Sequence, residues 1–287
     1  MANIASLAFA KLNLTLEVLG RRDDGYHEVK TVIQTIDLAD RLEFSPSRKM
    51  QVVCNDKSLS GQANLVWRAA QDLAKASGVA PLARVAIEKH IPTSMGLGGG
   101  SSDAACALVS LNQMWGLHLS LDHLAEIAAG IGSDVPFFLW GGTALAEGRG
   151  ERVSPLPPLP SLPAILICPD ITLPNKTAAM YSKLTPASFS DGGVTRRMIQ
   201  ILTGGQFVGD SVGGLIQNAF DDVAWMAFPD LSPMRQKLDQ IMPGRFHLSG
   251  SGPALFALPA SETDRQVVAA ALQPYGVGVY LVHTVCP

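Results

Sequence analysis

Residues 92–117, PTSMGLGGGSSDAACALVSLNQMWGL, set Gly96, Gly98, Gly99 and Gly100 directly before Ser101, Ser102 and a long apolar run. Glycines lack a Cβ, so successive backbone N–H groups can converge on an anion; a helix that follows adds its orphan N–H groups and positive dipole end. The helix is predicted by spacing, because Ala104, Leu108, Leu111 and Trp115 form one apolar stripe. Ser101 or Ser102 can cap it or hold a phosphate oxygen. Two familiar phosphate templates fail. A P-loop needs a lysine just before the hydroxyl residue, and none occurs from Pro92 to Trp115. The dinucleotide fingerprint needs glycines at relative positions one, three and six, and counting from Gly96 gives Gly98 and then Ser101. What stays open is a phosphate cradle of another kind, or a flexible loop ahead of a capped core helix. The strand-like run RVAIEKH (84–90) upstream, the density of glycine and the serine pair favour the cradle.

Outward from this loop the chain mixes strands and helices. Leu12, Leu14, Leu16 and Val18 alternate with Asn13, Thr15 and Glu17, the pattern of a half-buried strand with one polar face, and Lys11 shares the parity of that face. RLEFS (41–45) and MQVVC (50–54) read as further strands; NLVWRAAQDLAKAS (64–77) and LDHLAEIAAGI (121–131) read as helices. SPLPPLPSLP (154–163) holds five prolines in ten residues, which excludes helix interior and central strand, so it is a connector. Beyond it AILIC (164–168) reads as a buried strand, TRRMIQIL (195–202) and PMRQKLDQIM (233–242) as helices, and RFHLSGSGPALFAL (245–258) as strand, glycine turn, strand. The glycine-rich run 203–218 gives no local reading. The organisation expected is α+β in two domains, 1–154 and 155–287.

Composition excludes several classes. Hydrophobic residues at 47% and charged ones at 16% describe an ordered globular chain, and 22 basic against 25 acidic residues, with no long block of like charge, mark neither a nucleic-acid arm nor an acidic tail. No uncharged apolar run approaches the ~20 residues of a membrane helix. Residues 1–14 reach Lys11 too early for a signal-peptide core, so no leader is expected. Cys54, Cys106, Cys168 and Cys286 lie far apart, with no CxxC pair and no histidine at ligand spacing; they read as buried free thiols in a cytoplasmic protein.

IPTSMGLGGGSSDAA resembles the second motif, P-x-x-x-G-L-G-S-S-A-A, of the superfamily of small-molecule kinases that groups galactokinase, homoserine kinase, mevalonate kinase and phosphomevalonate kinase. The triple glycine with SSDAA is most similar to the branch acting on 4-diphosphocytidyl-2-C-methyl-D-erythritol in the non-mevalonate isoprenoid pathway. AFAKLNLTLEVLGRRDDGYHEVKTV (8–32) resembles that branch's N-terminal motif, GSDVPFFLWGGTALAEGRGE (132–151) its acidic motif and LSGSGPALFAL (248–258) the third motif of the superfamily.

The resemblance implies a two-domain fold with the active site in the interdomain cleft, and transfer of the ATP γ-phosphoryl to the tertiary 2-hydroxyl of the methylerythritol unit. It implies that Pro92, Thr93, Ser94, Met95, Gly96, Leu97, Gly98, Gly99, Gly100, Ser101 and Ser102 wrap the ATP phosphates, that Asn64 and Leu65 line the adenine site, and that Gly250, Ser251 and Gly252 close the cleft. Asp134 would take the proton of the acceptor hydroxyl, with Lys11 holding Asp134 ionised and stabilising charge at the attacking oxygen or the γ-phosphate. Asn13 would orient substrate hydroxyls. Tyr26 and His27 would stack on and read a cytosine, and Thr177 and Tyr181, downstream of Pro174, would complete its sandwich. ATP would bring magnesium held mainly by phosphates and water, with no protein ligand assigned. From the residues alone each has a plainer reading: Asp134 a turn residue, Lys11 a solvated strand lysine, Asn64 a helix cap, residues 250–252 a tight turn, Tyr26 and His27 the flank of a hairpin. A homoserine or mevalonate kinase would share the loop but lack the Gly25-Tyr26-His27 stretch; a non-catalytic nucleotide sensor would lack Asp134 or Lys11.

Overall fold

The computed structural model describes residues 3–171, 175–205 and 209–287; Pro174 and part of the 203–218 run lie outside them. The chain opens with two long antiparallel strands, β1 (Ile4–Arg21) and β2 (His27–Pro46), joined by a turn in which Gly25 takes φ 86°. There follow β3 (Gln51–Cys54), α1 (Leu65–Ser77), β4 (Ala83–Glu88), α2 (Gly99–Met114), α3 (Leu121–Ile131), α4 (Phe137–Trp140), β5 (Thr143–Gly148) and β6 (Arg152–Pro155). One end of β2 pairs with β5 and the other with β4, so this strand carries two separate extensions of the same sheet. Helices α1, α2 and α3 bury Val66, Leu73, Leu108, Leu111 and Leu124 against Leu42, Phe44 and Val85 of that sheet.

The second half holds β7 (Pro163–Cys168), α5 (Lys176–Tyr181), α6 (Gly193–Thr203), α7 (Gly209–Gly213), β8 (Gln217–Asn218), α8 (Ala224–Ala227), α9 (Ser232–Ile241), β9 (His247–Leu248), β10 (Leu255–Ala257), α10 (Glu262–Leu272) and β11 (Gly278–His283). Its sheet runs β11-β7-β10-β9, all antiparallel. The two sheets are stitched by β8, which pairs parallel to β1 at Thr15 and Leu16, and by a bridge between Ile36 and Thr284.

The predicted strands and helices form, with two differences. β1 extends far beyond residues 12–18, and its polar face is not solvated: Lys11, Asn13, Thr15 and Glu17 are each at most 3% exposed. The second half covers that face. Thr15 Oγ1 lies 2.8 Å from Thr195 Oγ1, and the Glu17 carboxylate accepts hydrogen bonds from the Thr195 N–H and the Ser190 hydroxyl. The thiols also depart from expectation: Cys168 is buried, Cys54 and Cys106 are partly so, and Cys286 is exposed.

Candidate active site

The glycine loop lies between β4 and α2 and is pinned at both ends by one buried ion cluster. Asp40 of β2 accepts from the N–H groups of His90 and Ile91, at 2.6 and 2.9 Å, just where the chain enters the loop. The Lys89 ammonium bonds both Asp40 and, at 2.8 Å, Asp103 in the second turn of α2. Burial, and the second carboxylate beside it, push the Asp103 carboxyl up to about 7, although the Lys89 ammonium pulls the other way. Its Oδ1 is buried with no hydrogen-bond partner.

Inside the loop the side chains divide. Met95 and Leu97 turn into the apolar core with Ile91, whereas Gly96, Gly98 and Ser101 face a cavity. Helix α2 begins at Gly99 behind Gly98, whose φ is 73° and which makes no side-chain cap. Ser101 and Ser102 therefore sit within the first turn rather than at the cap, which corrects the capping alternative; Ser102 is buried and Ser101 opens on the cavity. Gly96 has no room for a side chain, since a Cβ there would fall 2.0 Å from the Ser249 carbonyl oxygen. That contact is the clamp between two loops: the Ser249 hydroxyl donates to the Gly96 carbonyl at 3.0 Å, and the Ala254 N–H to the Met95 carbonyl at 3.2 Å. The 250–252 turn is held from below by the Asn218 amide, which donates to the carbonyls of Leu248 and Gly250, each at 2.8 Å.

Lys11 reaches the same point from β1. Its N–H donates to the Leu97 carbonyl at 3.0 Å, so the strand and the loop share a fixed register. Its ammonium donates to Asn13 Oδ1 at 2.5 Å and stands 3.7 Å from Asp134 Oδ2; Asn13 in turn donates to Thr31 Oγ1 at 2.9 Å. Burial lowers the pKa of Lys11, and the Asp134 carboxylate works against that shift. Asp134 follows α3 in the turn leading to α4, and its carboxylate is 40% exposed, so it faces the open cavity while Lys11 forms the floor.

The cavity measures about 1130 Å³ and is walled by both halves of the molecule. It brings together Lys11, Asn13, Tyr26, His27, Asp134, Thr177, Tyr181, Gly250 and Ser251. At its far end His27 stacks on Tyr181, centroids 4.8 Å apart, and Tyr181 meets Phe220 edge-on at 4.9 Å. Burial and the nearby Arg21 lower the His27 pKa, which favours the neutral imidazole with its one donor and one acceptor nitrogen. Tyr26 is 54% exposed, and the Arg149 guanidinium lies 4.9 Å from its ring centroid.

Asn64 and Leu65 are not part of this wall. Asn64 caps α1, its Oδ1 accepting from the Val66 N–H at 2.9 Å and its Nδ2 donating to the Leu59 carbonyl at 2.8 Å. Leu65 lies beside the loop, its Cδ1 3.7 Å from where a Cβ on Gly100 would stand. Pro92, Thr93, Ser94, Gly99, Gly100 and Gly252 do not line the cavity either. Sequence reasoning missed Lys176, Arg149 and Phe189 in that wall. Lys176 adjoins Thr177 and Arg149 lies in the acidic motif, but neither carries a local pattern that marks it. Among the described residues no group of three or more His, Cys, Asp or Glu side chains could hold a metal ion, and no helix is long and apolar enough to cross a membrane.

Residues 64–142 match the GHMP kinases N-terminal domain. Across 98% of both chains this one is 40% identical to a protein of Dehalococcoides mccartyi named 4-diphosphocytidyl-2-C-methyl-D-erythritol kinase. The chain belongs to that kinase family. A relative of the same name from Pelotomaculum thermopropionicum is 42% identical over 93% of both chains. In the family's solved structures, a crystal structure of 4-(cytidine 5'-diphospho)-2C-methyl-D-erythritol kinase superposes with a TM-score of 0.79 at 33% identity, covering 98% of this chain and 99% of that one. The homoserine kinase of Cytophaga hutchinsonii, at 16% identity and TM-score 0.76 over 100% and 95% of the two chains, shares the fold. The α+β small-molecule kinase fold expected from the motifs is the one observed.

Proposed function

We infer that this protein is an ATP-dependent kinase that phosphorylates the 2-hydroxyl of 4-diphosphocytidyl-2-C-methyl-D-erythritol in the non-mevalonate route to isoprenoid precursors. Membership of the family at 40% identity over nearly the whole chain supports the activity. The observation that carries the chemistry is the Lys11 ammonium 3.7 Å from the Asp134 carboxylate, at the mouth of a glycine loop that leads into a helix.

In this reading the 96–101 loop and the first turn of α2 receive the ATP phosphates through backbone N–H groups. The acceptor's hydroxyl oxygen attacks the γ-phosphorus, its proton passes to Asp134, the bond to the bridging oxygen breaks and ADP leaves. Lys11 stabilises the charge that builds on the attacking oxygen and the γ-phosphate, and Asn13 orients the acceptor. Tyr26, His27, Thr177 and Tyr181 hold the cytosine, while Asn64 and Leu65 flank the adenine side. The two working halves are residues 1–154 and 155–287, with the cavity between them. Magnesium suits this donor set only as an ion carried by phosphate oxygens and water, because the described residues offer no carboxylate cage; when bound it would neutralise phosphate charge. A reducing cytoplasm agrees with the free cysteines.

The test is ATP consumption by the purified protein offered, in parallel, the diphosphocytidyl substrate, the same sugar phosphate lacking cytidine, homoserine and mevalonate. Turnover confined to the first supports both the kinase and its cytosine site. Turnover with homoserine or mevalonate removes the substrate assignment, and none with any acceptor favours a sensor.

A further inference from the structure

The cavity holds more positive charge than the Lys11–Asp134 pair accounts for. Lys11, Arg21, Arg149 and Lys176 all line it, against Asp134 as the one carboxylate among the described wall residues. Lys11 and Arg149 each have a carboxylate nearby, Asp134 at 3.7 Å and Glu151 at 3.8 Å. Neither Arg21 nor Lys176 forms an ion pair among the described residues, and Lys176 stands apart because its ammonium donates to two neutral main-chain carbonyls, that of Ser94 at 2.8 Å and that of Gly252.

Those two carbonyls belong to the loops that clamp one another at the phosphate cradle: Ser94 stands two residues before Gly96, and Gly252 ends the turn that Ser249 and Asn218 hold in place. Lys176 itself comes from α5, in the same half of the molecule as Gly252 and the opposite half from Ser94. An ammonium has three N–H donors, so one remains beyond the two carbonyls. Burial, then repulsion from Lys11, lower the Lys176 pKa to about 8, with Asp134 opposing. A cation placed in this way, without a counter-ion and beside another cation, is stabilised by the arrival of an anion.

We propose that Lys176 binds the terminal phosphates of ATP, closing the nucleotide cradle from the C-terminal half of the molecule. The proposal rests on the kinase reading above. The diphosphate of the acceptor is the other phosphate that could meet this ammonium. The nucleotide is favoured because both carbonyls that hold Lys176 lie in the nucleotide loops.

The experiment compares Lys176→Gln and Lys176→Arg with the unaltered protein by calorimetric titration of ATP, ADP and AMP, together with the acceptor KM and a thermal melt. Gln can still donate to a loop carbonyl but carries no charge. Lys176→Gln is expected to bind ATP about 10- to 100-fold more weakly, ADP less affected and AMP within twofold, with the acceptor KM nearly unchanged; Lys176→Arg is expected to recover most of the loss. Equal weakening of all three nucleotides would reduce Lys176 to a tie between loops, and a raised acceptor KM with ATP binding intact would assign it to the acceptor; either overturns the proposal. Should the Gln variant fail to fold, Lys176→Met carries the same comparison. Failure of the unaltered protein to turn over the diphosphocytidyl substrate would count against the kinase reading, whereas normal turnover with unchanged nucleotide binding in Lys176→Gln would count against Lys176 alone.

Discussion

At the scale of single residues, the groups that bind are distinct from the group that takes a proton. Asp134 touches none of the phosphate-loop amides, so Asp134→Asn is predicted to lower turnover by ~10²- to 10⁴-fold while ATP affinity stays within a few-fold. Paired kinetics and calorimetry check this, and equal loss of both in a folded variant would contradict it. Glycine 96 makes a second case. At φ 83°, with the Ser249 oxygen 2.0 Å from a would-be Cβ, the obstruction is backbone and cannot swing aside. Gly96→Ala is expected to cost about 3 kcal/mol in urea unfolding. Gly130, inside α3 with nothing within 4 Å of its would-be Cβ, should instead gain roughly 0.5–1 kcal/mol as Ala. Of these residues the glycines were legible from sequence, because their φ freedom is local. Asp134 and Lys11 were legible only through the motifs they belong to: nothing in the local pattern says that a turn aspartate and a strand lysine, far apart in the chain, meet at 3.7 Å. Lys176 was invisible for the same reason, since its partners are carbonyls of two distant loops.

At the scale of elements, periodicity located β4, α1, α2, α3 and α6 well, because each keeps an apolar face of a simple period, and β7 showed as a continuous apolar run buried on both faces. It misjudged β1. Alternation of Leu with Asn, Thr and Glu is the signature of one wet face, yet here that face meets α6 and the glycine turn; its polar side chains are satisfied by Thr195, Ser190 and Thr31 rather than by water. The buried Lys89–Asp40–Asp103 cluster is another element-level device, tying β2, β4 and α2 together at the roots of the loop. Two carboxylates share one ammonium, and burial raises the Asp103 pKa to about 7. In the unfolded chain an aspartate titrates near 3.9. Between these two values the folded state holds the extra proton, so stability falls as pH rises from about 4 to about 7 and is flat above. Asp103→Asn removes that titration. The stability of the variant relative to the parent should therefore increase from pH 5 to pH 7 in urea unfolding, and a flat or declining difference would show that Asp103 is ionised in the fold.

At the scale of the whole molecule, the proline-rich stretch is free of helix and strand only over 156–162, since its ends join β6 and β7, and the two halves are less independent than a connector suggests. β8 adds to the first sheet, Thr284 bridges to Ile36, and the cavity wall draws side chains from both sides. Such pairings between distant residues leave no local trace in a sequence. The thiols report this packing directly. Burial pushes the Cys106 and Cys168 thiols up to about 12, whereas Cys286 is exposed. A thiol reagent at pH 8 is expected to modify Cys286 quickly and Cys106 and Cys168 only after unfolding, as mapped by mass spectrometry; rapid labelling of Cys168 in the folded protein would contradict the packing of β7. If this cavity directs phosphoryl transfer to a tertiary hydroxyl, phosphorus NMR of the product formed from ATP and 4-diphosphocytidyl-2-C-methyl-D-erythritol will show it. A new phosphomonoester resonance without splitting by a carbinol proton is predicted, because the carbon bearing that oxygen has none. A proton-split resonance, or ADP formation without any new ester, would contradict it.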